Sequence, residues 1–579
     1  MSALFLSNFR HAIAAPTAVF LFGVLPVVAL AAPDAGSILQ RFESRPERPL
    51  AAPSRKKPKA PTPPSSGAST KALHVNAFRI EGNQLLSTDT LQLALAGFTG
   101  TDLSLTQLQE VAWVIIQTYR EAGWLVHAFV PPQEIDQGIV KIQVIEAKLG
   151  QVHIDFPKEA SLPIEHIQAM ADAQLSRGAT INLNEVDRFL LLIDDIPGVF
   201  ASASYTEGVE QGSTDIRLQL GQRKQVETQI MLDNFGAVAT GSTRLSANVT
   251  VNNGLGLGDA LAMQASTSDG SAYARAAYTL PVGLEGWRTG VHISQLNYNL
   301  VGSFAALDAS GNAQTWGADI TAPLLRSPDH NLNLQINTDH KSFDNQALSN
   351  SLGQVATVSK YQIDVVRSGL NANWMEQGLT PAQNSASVLF TLGHVNLADS
   401  PNAAADNISA HTGGHFQKIN LGYNREQSIS GQATAYMQAG AQLADRNLDS
   451  SEKIYLGGAT GVRAYPSNEA GGSNGYTLTV GLKHRLDPAW TLNGFVDWGR
   501  IQLYANNLNA AGSEITPTNT QTLQGFGLSA SWRDNQGLEI TATWSRRQGF
   551  NSGANATTGA DSDGTHIVNR LWLSTALNF

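Results

Sequence analysis

The chain has no cysteine among its 579 residues, and only 15% of them are charged. Without cysteine there can be no disulfide, no thiolate metal ligand and no cysteine nucleophile. The net charge of −10 also excludes the overall basic surface that is typical of nucleic-acid-binding proteins. We therefore expect no nucleic-acid partner.

Long apolar runs are missing as well, except near the N-terminus. Arg10 precedes an apolar stretch from Val19 to Leu30, which ends in the small-x-small pattern of a signal-peptidase site. A transmembrane helix is the alternative, but the stretch is shorter than the roughly 20 residues that a bilayer requires and contains Pro26. We predict a signal peptide over residues 1–31. A membrane location would then require the strands of a closed barrel.

Residues 32–73 are predicted to form a short helix from Ala35 to Phe42, followed by a linker. Seven prolines lie between Pro46 and Pro64, interleaved with basic residues. This composition is typical of an extended, solvated segment, because it cannot pack a core.

Two segments of similar order follow, over residues 74–148 and 149–222, and each is predicted to be a small α+β domain with the order β-α-α-β-β. The first is predicted to open with a strand from Val75 to Ile80 and to contain a helix that starts with the Ser104/Gln107 capping box. Neither segment contains a plausible cluster of catalytic groups, so we expect them to bind a partner. The residues predicted to be buried at helical or strand spacing are Leu108, Ala112, Ile115, Tyr119, Ile216, Leu218 and Leu220.

The last segment, residues 223–579, has the spacing of a transmembrane barrel. It divides into sixteen candidate strands at about 22 residues per strand and loop, which suits tilted strands of 9–11 residues. The predicted strand starts lie near Gln225, Thr243, Asp259, Ser271, Trp287, Asn312, Asn331, Ala356, Ser385, Gly414, Gln432, Gly475, Ala489, Gln521, Gly537 and Asn569.

Individual strands alternate between apolar and polar residues, as a wall between lipid and a wet lumen requires. Tyr476, Leu478 and Val480, for example, alternate with Thr477 and Thr479. A soluble β-domain could show similar alternation, but it would not explain an aromatic residue, Phe579, at the end of the last strand behind a signal peptide. We predict that Phe579 is a barrel-assembly signal.

Several motifs resemble one family in their order and spacing. Phe78 to Asn83 resembles the opening strand of a POTRA domain, and Asp194 to Val199 resembles the matching part of a second one. Asp233 to Gly236 and Asn253 to Asp259 are similar to the family's first barrel hairpin. By these motifs the chain resembles the two-partner-secretion transporters, the family of haemolysin activation/secretion proteins. The resemblance covers essentially the whole mature chain.

The resemblance implies a 16-stranded antiparallel transmembrane β-barrel in the outer membrane, preceded by two α+β POTRA domains in the periplasm. It implies secretion of a partner exoprotein of the haemolysin or adhesin type through the barrel, without nucleotide and without a cofactor. The exoprotein's N-terminal secretion domain, outer-membrane lipid and the barrel-assembly machinery are the partners that it implies. The alternative function is an assembly or insertion factor for outer-membrane proteins, from the same superfamily.

Two further motifs resemble the mechanistic part of that family. Val462, Arg463, Ala464 and Tyr465 are similar to the VRGY tip of a long pore loop, expected here around residues 443–474, with Ala464 at the position of the glycine. The second motif is the F-x-D-x-G strand motif that receives this loop. It is matched by Phe495, Asp497 and Gly499.

The period-2 alternation of the same strand independently points Asp497 into the lumen. Arg463 is the partner that the resemblance implies. A hydrated, unpaired lumen charge remains the alternative from the residues alone.

Catalysis and metal binding are not expected. Gly471 to Gly475 fits G-x-S-x-G, but a nucleophile elbow needs a strand before the serine and a helix after it, and here a Gly-rich loop surrounds the serine. His411 and His415 are four residues apart, but Gly413 and Gly414 between them argue against the helix that would place both on one face. A passive porin would not need the two leading domains.

Overall fold

The structure is a computed structural model. It describes residues 33–43, 72–156, 164–210, 212–349 and 353–579. The predicted signal peptide and the Pro-rich linker lie outside these residues. Helix α1, Ala35–Glu43, matches the predicted short helix. None of the described helices is both long and apolar enough to cross a bilayer.

The first α+β module runs from Ala72 to Glu146. Its long helix begins with the predicted capping box, in which the Ser104 and Gln107 side chains each accept a hydrogen bond from the other's backbone N–H. The helix ends before Gly123, whose φ of +88° suits the left-handed position after a helix. The four helix residues predicted to be buried are all buried. The elements are β1 Ala72–Val75, β2 Ala77–Glu81, α2 Thr88–Ala94, β3 Thr101–Ser104, α3 Leu105–Glu121, β4 Val126–Phe129 and β5 Ile139–Glu146.

The predicted opening strand from Val75 to Ile80 is wrong in one respect, because it is two strands. β1 pairs with β3 in a separate two-stranded sheet, while β2 pairs in parallel with β5. The break falls at Asn76, whose backbone N–H and side-chain amide donate to the carbonyls of Gly138 and Gln137 instead of continuing a strand ladder.

The second module has the same sheet topology as the first. Its central strand, β8, pairs in parallel with β6 and antiparallel with β7. In the first module, β5 pairs in the same way with β2 and β4. Ile216, Leu218 and Leu220 are buried in its core, as predicted. The elements are β6 Lys148–Asp155, α4 Ile164–Gln174, α5 Leu183–Asp194, β7 Val199–Glu207 and β8 Ser213–Gln222.

Residues from Val226 onward form a closed, antiparallel barrel of sixteen strands. All sixteen predicted strand starts lie within three residues of the observed ones. The strands are β9 Val226–Asp233, β10 Arg244–Asn252, β11 Ala260–Ser268, β12 Ser271–Val282, β13 Trp287–Asn299, β14 Ser310–Arg326, β15 His330–Ser349, β16 Gln354–Glu376, β17 Ala382–Asn396, β18 Gly414–Ser428, β19 Ala433–Ala444, β22 Asn474–Arg485, β23 Trp490–Gln502, β24 Thr520–Arg533, β25 Leu538–Arg547 and β26 Asn569–Asn578.

Short elements also lie between barrel strands. Helix α6, Ala403–Ile408, lies between β17 and β18, and the two-residue strands β20, Ile454–Tyr455, and β21, Gly471–Gly472, pair with each other between β19 and β22. The segment between β19 and β22, residues 445–473, is called the long loop below.

The predicted alternation separates two faces of the wall. In β23, Leu492 and Val496 are 41% and 51% exposed on the outward face, whereas Asp497 is 1% exposed on the inward face. The outward residues are apolar because they face lipid, and the inward residues include many charged and amide side chains. Side chains on the inward face are therefore the ones that line the lumen.

The seam that closes the barrel is short, with five residue pairs between β26 and β9. The side chain of Asn234 extends it. Its Nδ2 donates to the carbonyl of Leu571 at 2.9 Å, and its Oδ1 accepts from the backbone N–H of Leu573 at 2.8 Å. A side-chain amide thus takes the place of a peptide group just beyond the end of β9.

Candidate functional site

The long loop folds into the lumen and packs there. Five of its side chains join Ile501 and Leu523 of the barrel wall in a buried apolar cluster, and all five are at most 9% exposed. Burial of such apolar surface stabilises a loop that would otherwise be solvated. The five side chains are Leu456, Val462, Ala464, Tyr465 and Ala470.

Arg463, at the tip of the long loop, pairs with Asp497 of β23. The guanidinium Nε and Nη2 donate to the two carboxylate oxygens at 2.9 and 2.6 Å, and the backbone N–H of Arg463 donates at 3.0 Å. Thr479 of β22 supplies a fourth donor at 2.9 Å. Because a buried carboxylate needs such partners, Asp497 is a receptor for the loop tip and not a hydrated lumen charge.

The spacing of Phe495, Asp497 and Gly499 has a physical reason. Alternation along β23 points all three positions into the lumen. Phe495 lies under the guanidinium of Arg463, with 3.2 Å between Cζ and the ring centroid. A Cβ at Gly499 would lie 2.9 Å from Leu456 Cδ2, so glycine leaves the space that the loop occupies. Phe495 thus stacks on Arg463, Asp497 pairs with Arg463, and Gly499 leaves space for Leu456.

The other tip residues contact the neighbouring strands. The carbonyl of Arg463 accepts hydrogen bonds from Ser545 Oγ of β25 and Trp572 Nε1 of β26, at 2.6 and 2.7 Å. Tyr465 is fully buried and donates to the carbonyl of Gln524. The tip is therefore held by four adjacent strands, β23 to β26.

Ala464, which stands where the resembling motif has glycine, does not adopt a left-handed φ. Its methyl group is fully buried against Gly525 of β24, where a Cβ would lie only 2.6 Å away. The glycine that provides space here is thus in the wall instead of the loop.

The base of the long loop is anchored at a second place, which the sequence did not indicate. Glu452, 2% exposed, lies 3.1 Å from Lys341 of β15 and 2.8 Å from Lys418 of β18. Arg367 of β16 adds a third cation at 3.3 Å. Burial opposes ionisation of the Glu452 carboxyl, but the three cations outweigh it and hold its pKa well below the ordinary range.

Helix α1 also lies in the lumen, against the long loop and β13 to β15. Asp34 accepts from Ser450 Oγ at 2.7 Å, and Gln40 donates to the carbonyl of Lys453 at 3.0 Å. A Cβ at Gly36 would lie 2.4 Å from Ser450 Oγ, so a residue without a side chain is needed here for the helix to approach the loop. The helix and the loop therefore occupy the lumen together.

The wall contacts of α1 lie at both ends of the helix. The backbone N–H of Ala35 donates to Asn345 Oδ1 at 2.9 Å, and Phe42 stacks on Tyr273 at 4.5 Å between centroids. Glu43 lies 3.4 Å from Lys341, which also binds Glu452. One lysine thus contacts both lumen segments.

The first hairpin motif holds a buried ion pair. Arg244 donates to both oxygens of Asp233 at 2.9 and 3.1 Å across β9 and β10. At the opposite end of the hairpin, the Asp259 carboxylate accepts from the backbone N–H groups of Leu255 and Leu257 and so closes the turn. These contacts explain why the acidic residues stand where they do.

The second module is fixed to the barrel through the segment Asp194 to Val199. Asp195 accepts two hydrogen bonds from Arg326 of β14, at 2.7 and 2.8 Å, and Arg326 is 4% exposed. Asp194 accepts from the backbone N–H of Ala201, and Gly198 adopts a φ of +79° in the turn between them.

The serine and the two histidines of the remaining candidate motifs make contacts away from the Arg463–Asp497 pair. Ser473 is fully buried and donates from Oγ to the carbonyl of Leu503, with a β-strand after it. His411 lies in the segment between α6 and β18, and the ring of His415 is tilted against that of His394 with 4.3 Å between centroids. Within the described ranges, no group of three or more His, Asp or Glu side chains is arranged to hold a metal ion.

The family profile described as haemolysin secretion/activation protein ShlB/FhaC/HecB matches residues 212–517, just over half of the chain. The chain belongs to this family. A ShlB-type POTRA domain profile matches residues 73–147, which cover the first module. The match to the family includes both the loop-tip and the β23 motifs.

Individual transporters are similar to this chain over most of its length. The heme/hemopexin transporter protein HuxB of Haemophilus influenzae (strain 86-028NP) is 29% identical over 522 residues, which cover 87% of this chain and 90% of HuxB. Among solved structures, CdiB from Escherichia coli matches with a TM-score of 0.62 at 18% identity, over 92% of this chain and 94% of CdiB. CdiB from Acinetobacter baumannii matches with a TM-score of 0.56 at 16% identity, over 93% and 96%.

The family and the fold agree on location. The protein is an outer-membrane β-barrel transporter, and its N-terminal POTRA domain lies in the periplasm.

Proposed function

We propose that this protein exports a partner exoprotein through its barrel and that the long loop and α1 keep the pore shut between transport events. The observation that carries the proposal is the contact between Arg463 and Asp497, because it joins the family's loop motif to the family's strand motif inside the lumen. Both lumen segments must move before an unfolded chain can pass. Folding of the cargo outside the cell would bias its movement in place of nucleotide hydrolysis.

Cargo recognition falls to the two periplasmic modules. In each three-stranded sheet the outer strands are β2 and β4, or β6 and β7, so an extended peptide can add to a sheet edge or lie in a helix–strand groove. The second module, which has the sheet topology of the POTRA-matched first module, is proposed as a second POTRA domain. Its attachment through Asp195 would keep the bound cargo near the pore entrance.

Deletion of residues 75–146 tests this division of labour. The truncated protein should insert as a barrel but release no cargo, because recognition and barrel closure rest on different elements. Co-expression with large secreted exoproteins encoded nearby identifies the cargo. Since the chain is more similar to HuxB than to CdiB, an exoprotein that acquires haem is the first one to try. Normal release by the truncated protein would contradict the proposal.

Deletion of residues 35–43 tests the closed pore. Without α1, planar-bilayer conductance should rise, because of the two described lumen segments the long loop alone then remains. If the protein were instead an assembly factor, which is the alternative function, its loss would affect other outer-membrane barrels in the cell. Depletion of the protein would then lower the amount of unrelated outer-membrane barrels, whereas depletion of a secretion pore should leave them unchanged.

Phe579 is proposed as the signal that the barrel-assembly machinery reads. It is 55% exposed on the outward side of the last strand, and its backbone N–H donates to the carbonyl of Thr228. Deleting Phe579 should lower the yield of heat-modifiable barrel in outer-membrane fractions. An unchanged yield would show that the signal lies elsewhere.

A further inference from the structure

Two arginines, Arg500 and Arg546, stand on the outward face of the barrel. Their strand neighbours Gly499, Ile501 and Ser545 are buried on the lumen side, so alternation directs both arginines away from the lumen. Both are exposed. In the part of the chain that the structure describes, neither has a hydrogen-bond or ion-pair partner.

Both arginines lie at the end of the barrel that is remote from the periplasmic modules. β23 and β25 start at Trp490 and Leu538, on the side where β9 leaves the second module. Arg500 is the eleventh residue of its strand and Arg546 the ninth of its own. Through the strand register, Arg546 is level with Phe526 and Val496, so it is offset from Arg500 by four residues, or about 14 Å along a strand. They lie two strands apart, about 10 Å across the sheet.

The outward residues below the arginines are apolar, and aromatic rings surround them. Leu492 and Val496 precede Arg500 on the outward face. Tyr476 lies directly opposite Arg500 in the neighbouring strand, and Phe526 lies opposite Arg546.

The rings come in two pairs, Tyr476 with Trp498 at 5.1 Å and Phe526 with Trp544 at 6.0 Å between centroids. An aromatic girdle of this kind marks the border between hydrocarbon and headgroups in transmembrane barrels.

From these positions we infer that Arg500 and Arg546 bind phosphate on the headgroup of an outer-leaflet lipid. A guanidinium is always charged and offers paired donors that match a phosphate. A lipid-facing cation is costly at the bilayer centre but not at the headgroup border, where an anionic group can meet it. The bound lipid would lie on the back of the wall whose inner face carries Asp497 and Ser545, the receptor of the loop tip.

The test uses the full-length protein in detergent micelles, with lipid binding counted by native mass spectrometry. The probes are bisphosphorylated lipid A and its dephosphorylated form. The wild type should prefer the phosphorylated form by about tenfold or more, the ratio expected for charge-assisted hydrogen bonds. The double variant Arg500→Gln/Arg546→Gln should lose this preference, while Arg500→Lys/Arg546→Lys should keep part of it, because lysine retains the charge but not the paired geometry.

Lys360 offers a matched control. It is an outward cation near the same end of the barrel, with a side chain 70% exposed, but its Nζ lies 3.9 Å from Asp344. Lys360→Gln should therefore leave the preference unchanged. Heat-modifiable migration on gels confirms that each variant is folded.

Three results would overturn the inference. They are a wild type without preference for the phosphorylated lipid, a double glutamine variant that keeps the preference, and displacement of the lipid by millimolar inorganic phosphate. The last result would indicate a site for a free anion.

Discussion

Lys341 of the barrel wall lies between two carboxylates, 3.1 Å from Glu452 of the long loop and 3.4 Å from Glu43 of α1. Its side chain is 4% exposed, so neither contact is screened by bulk water. The two segments that fill the lumen therefore share one cation. Displacing α1 removes Glu43 from Lys341, which then remains paired with Glu452 of the long loop.

Glu452→Gln should loosen the base of the loop. The substitution keeps the side-chain volume but removes the buried carboxylate that Lys341, Arg367 and Lys418 share. Lys341 keeps Glu43, and Arg367 keeps Asp339. Breaking a buried ion pair from one side costs about 3–5 kcal/mol. We expect a higher and noisier conductance in planar bilayers and earlier thermal loss of the heat-modifiable form.

Glu426→Gln is the matched control for this substitution. Glu426 pairs with Lys483 at 2.6 Å, but both side chains are well exposed, at 45% and 39%. An exposed pair of this kind contributes little. Equal conductance of the two variants would show that Glu452 does not anchor the loop.

The same carboxylate gives the closed state a dependence on pH. The cations lower the pKa of Glu452 below its ordinary value of 4.5, so the ionised carboxylate is the form that stabilises the folded loop. The stabilisation is fully present above that ordinary value and is lost as the pH falls further toward the depressed pKa. Conductance of the wild type should therefore stay low from pH 7 to about 4.5 and rise only below it. In the Glu452→Gln variant this rise should be absent.

The fold was largely predictable because it rests on local rules. Strand alternation, turn residues and the Ser104/Gln107 capping box each act over a few neighbours in the chain, and the sixteen strands followed from them. The break at Asn76 was missed because its bonding partners, Gln137 and Gly138, lie about sixty residues away.

The lumen was only partly predictable. Arg463 and Asp497 were found through family motifs, with alternation as independent support for Asp497. Glu452 was missed because the long loop has no periodicity, and its three cations belong to strands that only the closed barrel brings together. The contact of Ala35 with Asn345 spans 310 positions and leaves no mark on either local pattern.

The bond between Asp195 and Arg326 should fix the second module on the barrel. Asp195→Ala leaves the nearly buried Arg326 guanidinium with its hydrogen bond to Asn331 but without the carboxylate, at a cost of about 1.5–3 kcal/mol. We expect a broader distribution of spin-label distances between module and barrel, with reduced secretion and an intact barrel. Asp155→Ala, in the same module, is the control, because its pair with Arg217 is half exposed. Unchanged distances in the Asp195 variant would argue against a fixed attachment.

Arg463 and Asp497 allow the sharpest test of the closed pore. Either Arg463→Ala or Asp497→Ala strands a charge, since Asp497 is 1% exposed and the Arg463 side chain 15%. The expected loss is about 3–5 kcal/mol if the remaining charge stays buried, and less if water enters. Secretion should fall in both variants, while the barrel still migrates as folded.

The reciprocal swap, Arg463→Asp with Asp497→Arg, separates attraction from shape. It restores opposite charges, so secretion should recover in part over either single reversal. Recovery cannot be complete, because Thr479 donates to the Asp497 carboxylate and Phe495 stacks on the guanidinium at its present position.

Cysteines at positions 463 and 497 provide a second measurement, since the native chain has none. A disulfide cross-link should form in the resting protein and block secretion until it is reduced. Normal secretion by both alanine variants, together with no cross-link, would leave Arg463 without a role in gating.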